Sequence, residues 1–163
     1  MELKRHLDTK FLLIGIYILA FVVYIVIGLN PASAKYYQVD GNLSIPELGL
    51  YSDVTTLSLN GNNLDTPDTI VGSFSNHDNK TLLIGHSTTV FTDLYKVSLG
   101  DMVEYNGKSY KIEKIETLEK AQVDMDSILS ESRTDTIVIM TCAGELLEHG
   151  DATHRLIVTA TLV

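Results

Sequence analysis

The stretch Thr136-Ile137-Val138-Ile139-Met140-Thr141-Cys142-Ala143-Gly144 decides the fold. It is rich in β-branched residues and reads as a strand, in which successive side chains alternate between two faces. Thr136, Val138, Met140 and Cys142 share one face, and Ile137, Ile139 and Thr141 the other. Both faces are largely apolar, the pattern of a central strand covered on both sides. Cys142 comes where the strand opens into Ala143-Gly144. A thiol at the end of a rigid strand is well placed for chemistry, and such a position also suits a structural cysteine.

The neighbouring run Thr153-His154-Arg155-Leu156-Ile157-Val158-Thr159-Ala160-Thr161-Leu162 sharpens that choice. Leu156, Val158, Ala160 and Leu162 form an apolar face, while Arg155 lies opposite with Ile157, Thr159 and Thr161. Only the twelve residues 143–154 separate Cys142 from Arg155. If the two strands pair antiparallel, the end of one lies beside the start of the other, and Cys142 and Arg155 become neighbours. A guanidinium there favours the thiolate and can donate to a developing oxyanion. The plain alternative is a surface arginine at a strand end.

A third element is Leu82-Leu83-Ile84-Gly85-His86-Ser87, an apolar strand running into Gly-His. A Cys–His pair supplies both a nucleophile and the acid that protonates a leaving amine. The remaining histidines fit less well. His6 precedes the first apolar run, His77 and His149 sit in polar surroundings, and His154 points away from Arg155 across its strand. On the residues alone, His86 is open to a structural as well as a catalytic reading.

Working outward, short runs rich in Val, Ile, Leu, Thr and Tyr recur about every ten residues, separated by turn residues. Strands are expected at 48–54, 55–59, 81–85, 102–105, 108–117, 136–141 and 156–163. Asn106-Gly107 is a two-residue hairpin turn by type. Helical pieces are expected at 91–97 and at 125–130, the latter with Asp124 as N-cap. The class is mainly β, and about eight short strands in this length suit a closed barrel or a sandwich.

The N-terminal part differs in kind. Residues 11–29 (FLLIGIYILAFVVYIVIGL) carry no charge and would span about 28 Å as a helix, close to the hydrocarbon thickness of a bilayer. Lys4, Arg5 and Lys10 precede them, so residues 1–10 are expected in the cytoplasm and the rest outside a single-pass anchor in the cell membrane. Ala32-Ser33-Ala34 resembles a signal-peptidase site, but the apolar run exceeds the usual signal-peptide core. Residues 30–44 read as a stalk and 45–163 as the folded domain. Beyond residue 30 the chain has nine Lys or Arg against nineteen Asp or Glu, a net of −10 that argues against nucleic acid as a partner. The single cysteine leaves no internal disulfide. An odd exported thiol is buried and inert, an intermolecular link, or reactive.

The three catalytic-type elements together resemble the sortases, which carry a Thr-Leu-x-Thr-Cys strand, an Arg on the following strand and an upstream Gly-His. Here these read Val138-Ile139-Met140-Thr141-Cys142, Arg155 in His154-Arg155-Leu156-Ile157-Val158, and Gly85-His86-Ser87. Ile45-Pro46-Glu47-Leu48-Gly49-Leu50 is similar to that family's opening strand. Val90-Phe91-Thr92-Asp93-Leu94 followed by Leu99-Gly100-Asp101 is similar to its helix and the turn after it. The resemblance spans residues 45–163. It implies a closed β-barrel of about eight strands and a membrane-anchored cysteine transpeptidase. In that reading Cys142 is the nucleophile, Arg155 steadies the oxyanion, His86 is the acid and Thr141 lines the peptide site. The implied partners are a sorting peptide of Leu-Pro-x-Thr-Gly type on exported proteins and an amine acceptor of the cell envelope. Val138-Ile139 replaces the motif's first Thr-Leu, and Ser87 replaces the usual bulky residue after Gly-His. No Asp-Pro-aromatic lid precedes Ile45, which favours surface-protein anchoring over pilin polymerisation. Asp124, Asp126 and Glu131 fall where some sortases bind calcium, but their spacing does not fit a calcium loop, and no cofactor is expected. The rival readings are an exported cysteine hydrolase with water as acceptor and a non-catalytic membrane-tethered β-domain.

Overall fold

Strand β9 (Thr136–Leu146) sits where its doubly apolar pattern requires, between a parallel neighbour, β6 (Lys80–Ile84), and an antiparallel one, β10 (Ala152–Leu162). The computed structural model describes residues 37–60, 63–148 and 151–163. The expected cytoplasmic tail, the membrane anchor at 11–29, the start of the stalk, His6 and His149 lie outside the described residues.

The remaining barrel strands are β1 (Gly41–Ile45), β2 (Leu50–Thr56), β5 (Val71–His77), β7 (Met102–Tyr105) and β8 (Lys108–Glu119). Their order around the closed barrel is β1-β2-β5-β6-β9-β10-β8-β7. The ring closes where β1 meets β7, with Leu43 opposite Tyr105 and Ser44 opposite Glu104. Strands β3 (Leu59–Asn60) and β4 (Asn63–Leu64) form a separate two-stranded sheet. Closure pairs every barrel strand on both sides and so removes the exposed edges that invite aggregation.

Alternation fills the interior. Leu43, Ile45, Val54, Val71, Leu83, Ile137, Ile139, Leu156, Val158 and Ala160 point inward and pack with Phe91 and Leu94, which close one mouth. A second cluster lies on the outer face of β6, β9 and β10, where Leu82, Ile84, Val138 and Ile157 are buried. They are covered by Val123, by Met125, Ile128 and Leu129 of a short helix, α1 (Met125–Leu129), and by Leu57 and Leu64. Each aliphatic side chain so covered contributes about 1.5–3 kcal/mol relative to exposure. This cover explains why β9 is apolar on both faces while lying in a barrel. Asp124 caps α1 as expected, its Oδ1 accepting from the Ser127 amide at 3.1 Å. Asn106 and Gly107 have φ of +50° and +75° in the β7–β8 turn, as a type I′ hairpin requires.

Several expectations are corrected. Residues 41–44, placed in the stalk, join Ile45 in the first barrel strand, Gly41–Ile45, and Pro46–Leu48, read as part of the opening strand, form a 3-10 turn. The strand's pattern is short and carries polar residues at one end, so period alone did not separate it from the stalk. Residues 55–59 are not a strand of their own. Thr55 and Thr56 complete β2, and the chain then leaves the barrel for β3. Strand β5, with the sequence VGSFSNH, was not foreseen because its glycine and polar residues resemble a loop. Where a helix was expected at 91–97, the chain makes turns and a 3-10 segment, Leu94–Lys96. Strand β9 also runs past Cys142 to Leu146, and β10 begins at Ala152, so the two form a longer hairpin than foreseen.

Candidate active site

Cys142 and Arg155 are direct cross-strand partners in the β9–β10 ladder. Directly opposed residues share a face, with Cβ atoms about 4.5–5.5 Å apart. That face is the outer one, because Val138 and Met140 precede Cys142 at the same parity and Ile157 follows Arg155, all within the outer cluster. Leu118 of β8 stands opposite Arg155 on its other side. Cys142 is half-buried.

A bulge next to the pair shapes Arg155. Pairing runs Ala152 to Leu146 and then His154 to Ala143, so β9 carries one extra residue there. Gly144 takes up the irregularity with φ +77°. A Cβ on it would stand 2.5 Å from Thr153 Oγ1 and 2.6 Å from His154 Nδ1, so glycine is required on both counts. Arg155 is 15% exposed, and its guanidinium is held. Nη1 donates to the carbonyls of Ala152 at 3.0 Å and His154 at 2.9 Å, and Nη2 donates to Asp151 Oδ1 at 2.6 Å. Asp151 also accepts from Lys120. The hydrogen-bonded Lys120 ammonium, then the Arg155 guanidinium, hold the Asp151 carboxyl well below the usual carboxylate range.

His86 follows the end of β6, the parallel neighbour of β9. Ile84, the last residue of β6, pairs with Met140 in a parallel ladder. The ladder ends there, two residues short of His86 on one strand and of Cys142 on the other. The chain there is fixed by backbone bonds, with the Thr89 and Phe91 amides donating to the His86 carbonyl at 3.3 and 3.0 Å. Gly85 allows this return, since a Cβ on it would stand 2.5 Å from Val90 Cγ1 and 2.9 Å from the Phe91 ring. The imidazole is 42% exposed, and its Nε2 lies 4.0 Å from Asp68 Oδ1. Asp68 is held by its own carbonyl, which accepts from Thr89 Oγ1 at 2.6 Å. Its carboxylate is 93% exposed and screened by water.

Thr141, expected to line the peptide site, lines the mouth hollow together with Cys142. It is buried on the face opposite Cys142, and its hydroxyl donates to the Gly85 carbonyl at 2.8 Å. This bond extends the β6–β9 connection one residue past the ladder and fixes the backbone that carries His86. Thr141→Val keeps shape but leaves that buried carbonyl without its donor. A destabilisation of about 1–3 kcal/mol is expected, read as a lowered Tm. Catalysis should fall further than the fraction unfolded accounts for, because His86 loses its footing; an unchanged Tm and rate would remove this role.

One hollow, of about 310 Å³, adjoins the site at the barrel mouth and is lined by Ser87, Tyr95, Thr141, Cys142, Gly144 and Leu146 among others. A second, of about 480 Å³, lies along the outer face, where Leu118, Ile128, Val138 and Ile157 are joined by Lys80, Lys114, Glu116 and Asp124; Cys142, His86 and Arg155 do not line it. A larger hollow of about 550 Å³ lies between residues 48–53 and 89–93 and holds no Cys, His or Arg, so volume does not locate the chemistry. The sequence reading missed Asp68, Lys120 and Asp151. Nothing in their local sequence marks them, since each meets its partner through loop geometry.

The family model for the sortase domain matches residues 43–163. Solved structures agree in fold. Sortase A from Corynebacterium diphtheriae, lid mutant, superposes with a TM-score of 0.62 at 22% identity, covering 83% of this chain and 75% of its own. Sortase C from Clostridium perfringens SM101 gives 0.59 at 22% identity, covering 77% and 70%. Sortase A from Listeria monocytogenes gives 0.59 at 17% identity, covering 77% and 87%. No curated protein matches at a significant level. The chain belongs to the sortase family, the cysteine transpeptidases.

Proposed function

We propose that this chain is a membrane-anchored transpeptidase of the surface-protein anchoring kind. It cuts a Leu-Pro-x-Thr-Gly-like motif on exported proteins and passes the acyl part to a cell-envelope amine. The direct pairing of Cys142 with Arg155 on the outer face carries this reading.

The Cys142 thiolate attacks the Thr carbonyl carbon, and the C=O electron pair moves onto oxygen, where the free N–H groups of Arg155 receive it. Collapse breaks the C–N bond while protonated His86 gives its proton to the leaving amine. A thioester remains. An acceptor amine then attacks the same carbon, loses its proton to neutral His86 and expels the thiolate, which restores the starting state. No proton is gained or lost over the cycle.

A sorting peptide is set with its Thr carbonyl at Cys142, on the outer face that Cys142 shares with Arg155. The mouth hollow reaches Cys142 itself, and among the described residues its lining carries no Lys, Arg, Asp or Glu, leaving an approach for a substrate or acceptor.

The test is intact-mass analysis of the full chain incubated with a panel of sorting peptides, with and without an amine. A peptide-acyl thioester on Cys142 and amine-dependent ligation are expected. Cleavage at the same rate without ligated product would establish a hydrolase instead, and a thiol that reacts with nothing until denaturation would leave a non-catalytic domain.

A further inference from the structure

We propose that Asp151, anchored by Lys120, is the positioning residue that sets which N–H groups of Arg155 face the substrate. The inference rests on the reading of Arg155 given above and concerns how its guanidinium is aimed.

A guanidinium has five N–H donors in a rigid fork. Both donors on Nη1 are taken, by the carbonyls of Ala152 and His154, and one on Nη2 is taken by Asp151 Oδ1. The second Nη2 donor and Nε–H remain, and these are the pair available to an oxyanion beside Cys142. The two carbonyls alone define a pivot at Nη1. The carboxylate contact at Nη2 fixes the rotation of the plane about it.

Asp151 is suited to that role because it is itself held on three sides. Its Oδ1 accepts from the Ala152 amide at 2.8 Å, its carbonyl accepts from the Leu147 amide at 2.7 Å, and its Oδ2 accepts from Lys120 Nζ. Lys120 opens the 3-10 segment Lys120–Gln122, which directly follows β8. The brace therefore ties the hairpin of Cys142 and Arg155 to the segment that leaves β8.

The test compares Asp151→Ala and Asp151→Asn with wild type in the full chain. Asp151→Ala is expected to lower kcat on the order of 10²-fold through misaimed donors, with the peptide KM changed less than about threefold. Asp151→Asn, which keeps the size and a neutral acceptor, should fall between the two and guards against a folding defect. In an Arg155→Ala background the loss from Asp151→Ala should vanish, because there is nothing left to aim. A full, additive loss in that background, or wild-type kcat in both single variants, would overturn the proposal. A second readout needs no substrate. The sequence has only three arginines, so the Arg155 side-chain NMR signals are assignable by their absence in Arg155→Lys. Slow guanidinium rotation is expected in wild type and averaging in Asp151→Ala, while averaged signals in wild type would refute the brace. Should wild type form no acyl-enzyme with any peptide, the transpeptidase reading fails by itself, and the NMR result still decides the brace.

Discussion

Arg155→Lys is expected to slow acyl-enzyme formation by roughly 10²–10³-fold, the usual effect of losing one preorganised oxyanion donor. The charge survives, so a purely Coulombic role for residue 155 would survive with it. What is lost is the planar fork. An ammonium is a single point of three donors on a flexible stem. It cannot hold the carbonyls of Ala152 and His154 and the Asp151 carboxylate while offering further N–H groups to a substrate, as the guanidinium does. The fold should tolerate the change, since the barrel core does not include this side chain. Single-turnover kinetics followed by intact mass, with a thermal melt alongside, separate the two effects. Wild-type turnover in a normally folded variant would remove Arg155 from the oxyanion role.

His86→Gln should cost roughly 10²–10⁴-fold on a peptide substrate, the range for a positioned general acid. Glutamine keeps a polar side chain of similar reach without a proton to transfer. The defect should depend on the leaving group. With a thioester in place of the scissile amide, the departing thiolate needs no proton and most of the rate should return. Arg155→Lys should not be rescued in this way, because the oxyanion still forms. Equal rescue of both variants, or of neither, would separate His86 from leaving-group protonation and leave it a structural histidine at a strand end.

The pair at the centre of the site was legible because strand geometry is periodic. Alternation put Cys142 and Arg155 each on a definite face of its strand, and a short connection between two apolar runs implied a hairpin that made them neighbours. The ladder has them directly opposed. His86 was legible only through the family resemblance. A parallel pairing between β6 and β9 spans a long crossover, and no local pattern announces which distant strand will be the neighbour. Thr141 illustrates the limit from the other direction. The motif named it, and its parity already set it opposite Cys142, but its Gly85 partner is 56 residues away along the chain.

Cover and loops were harder to read. The outer faces of Val138 and Ile157 are apolar because α1 and its flanks lie over them, which a strand pattern shows as a need without saying what meets it. Strand β5 and the tie between Lys120, Asp151 and Arg155 had no signal at all. By itself the sequence determined the central hairpin, the thiol and its arginine, since a period of two residues and a short return leave little freedom. Only the tertiary structure decided which strands close the barrel and that β6, the strand running into His86, lies beside β9. It also decided that a carboxylate four residues before Arg155 fixes the guanidinium. Those contacts join segments whose separation along the chain carries no energetic signature until the chain has folded.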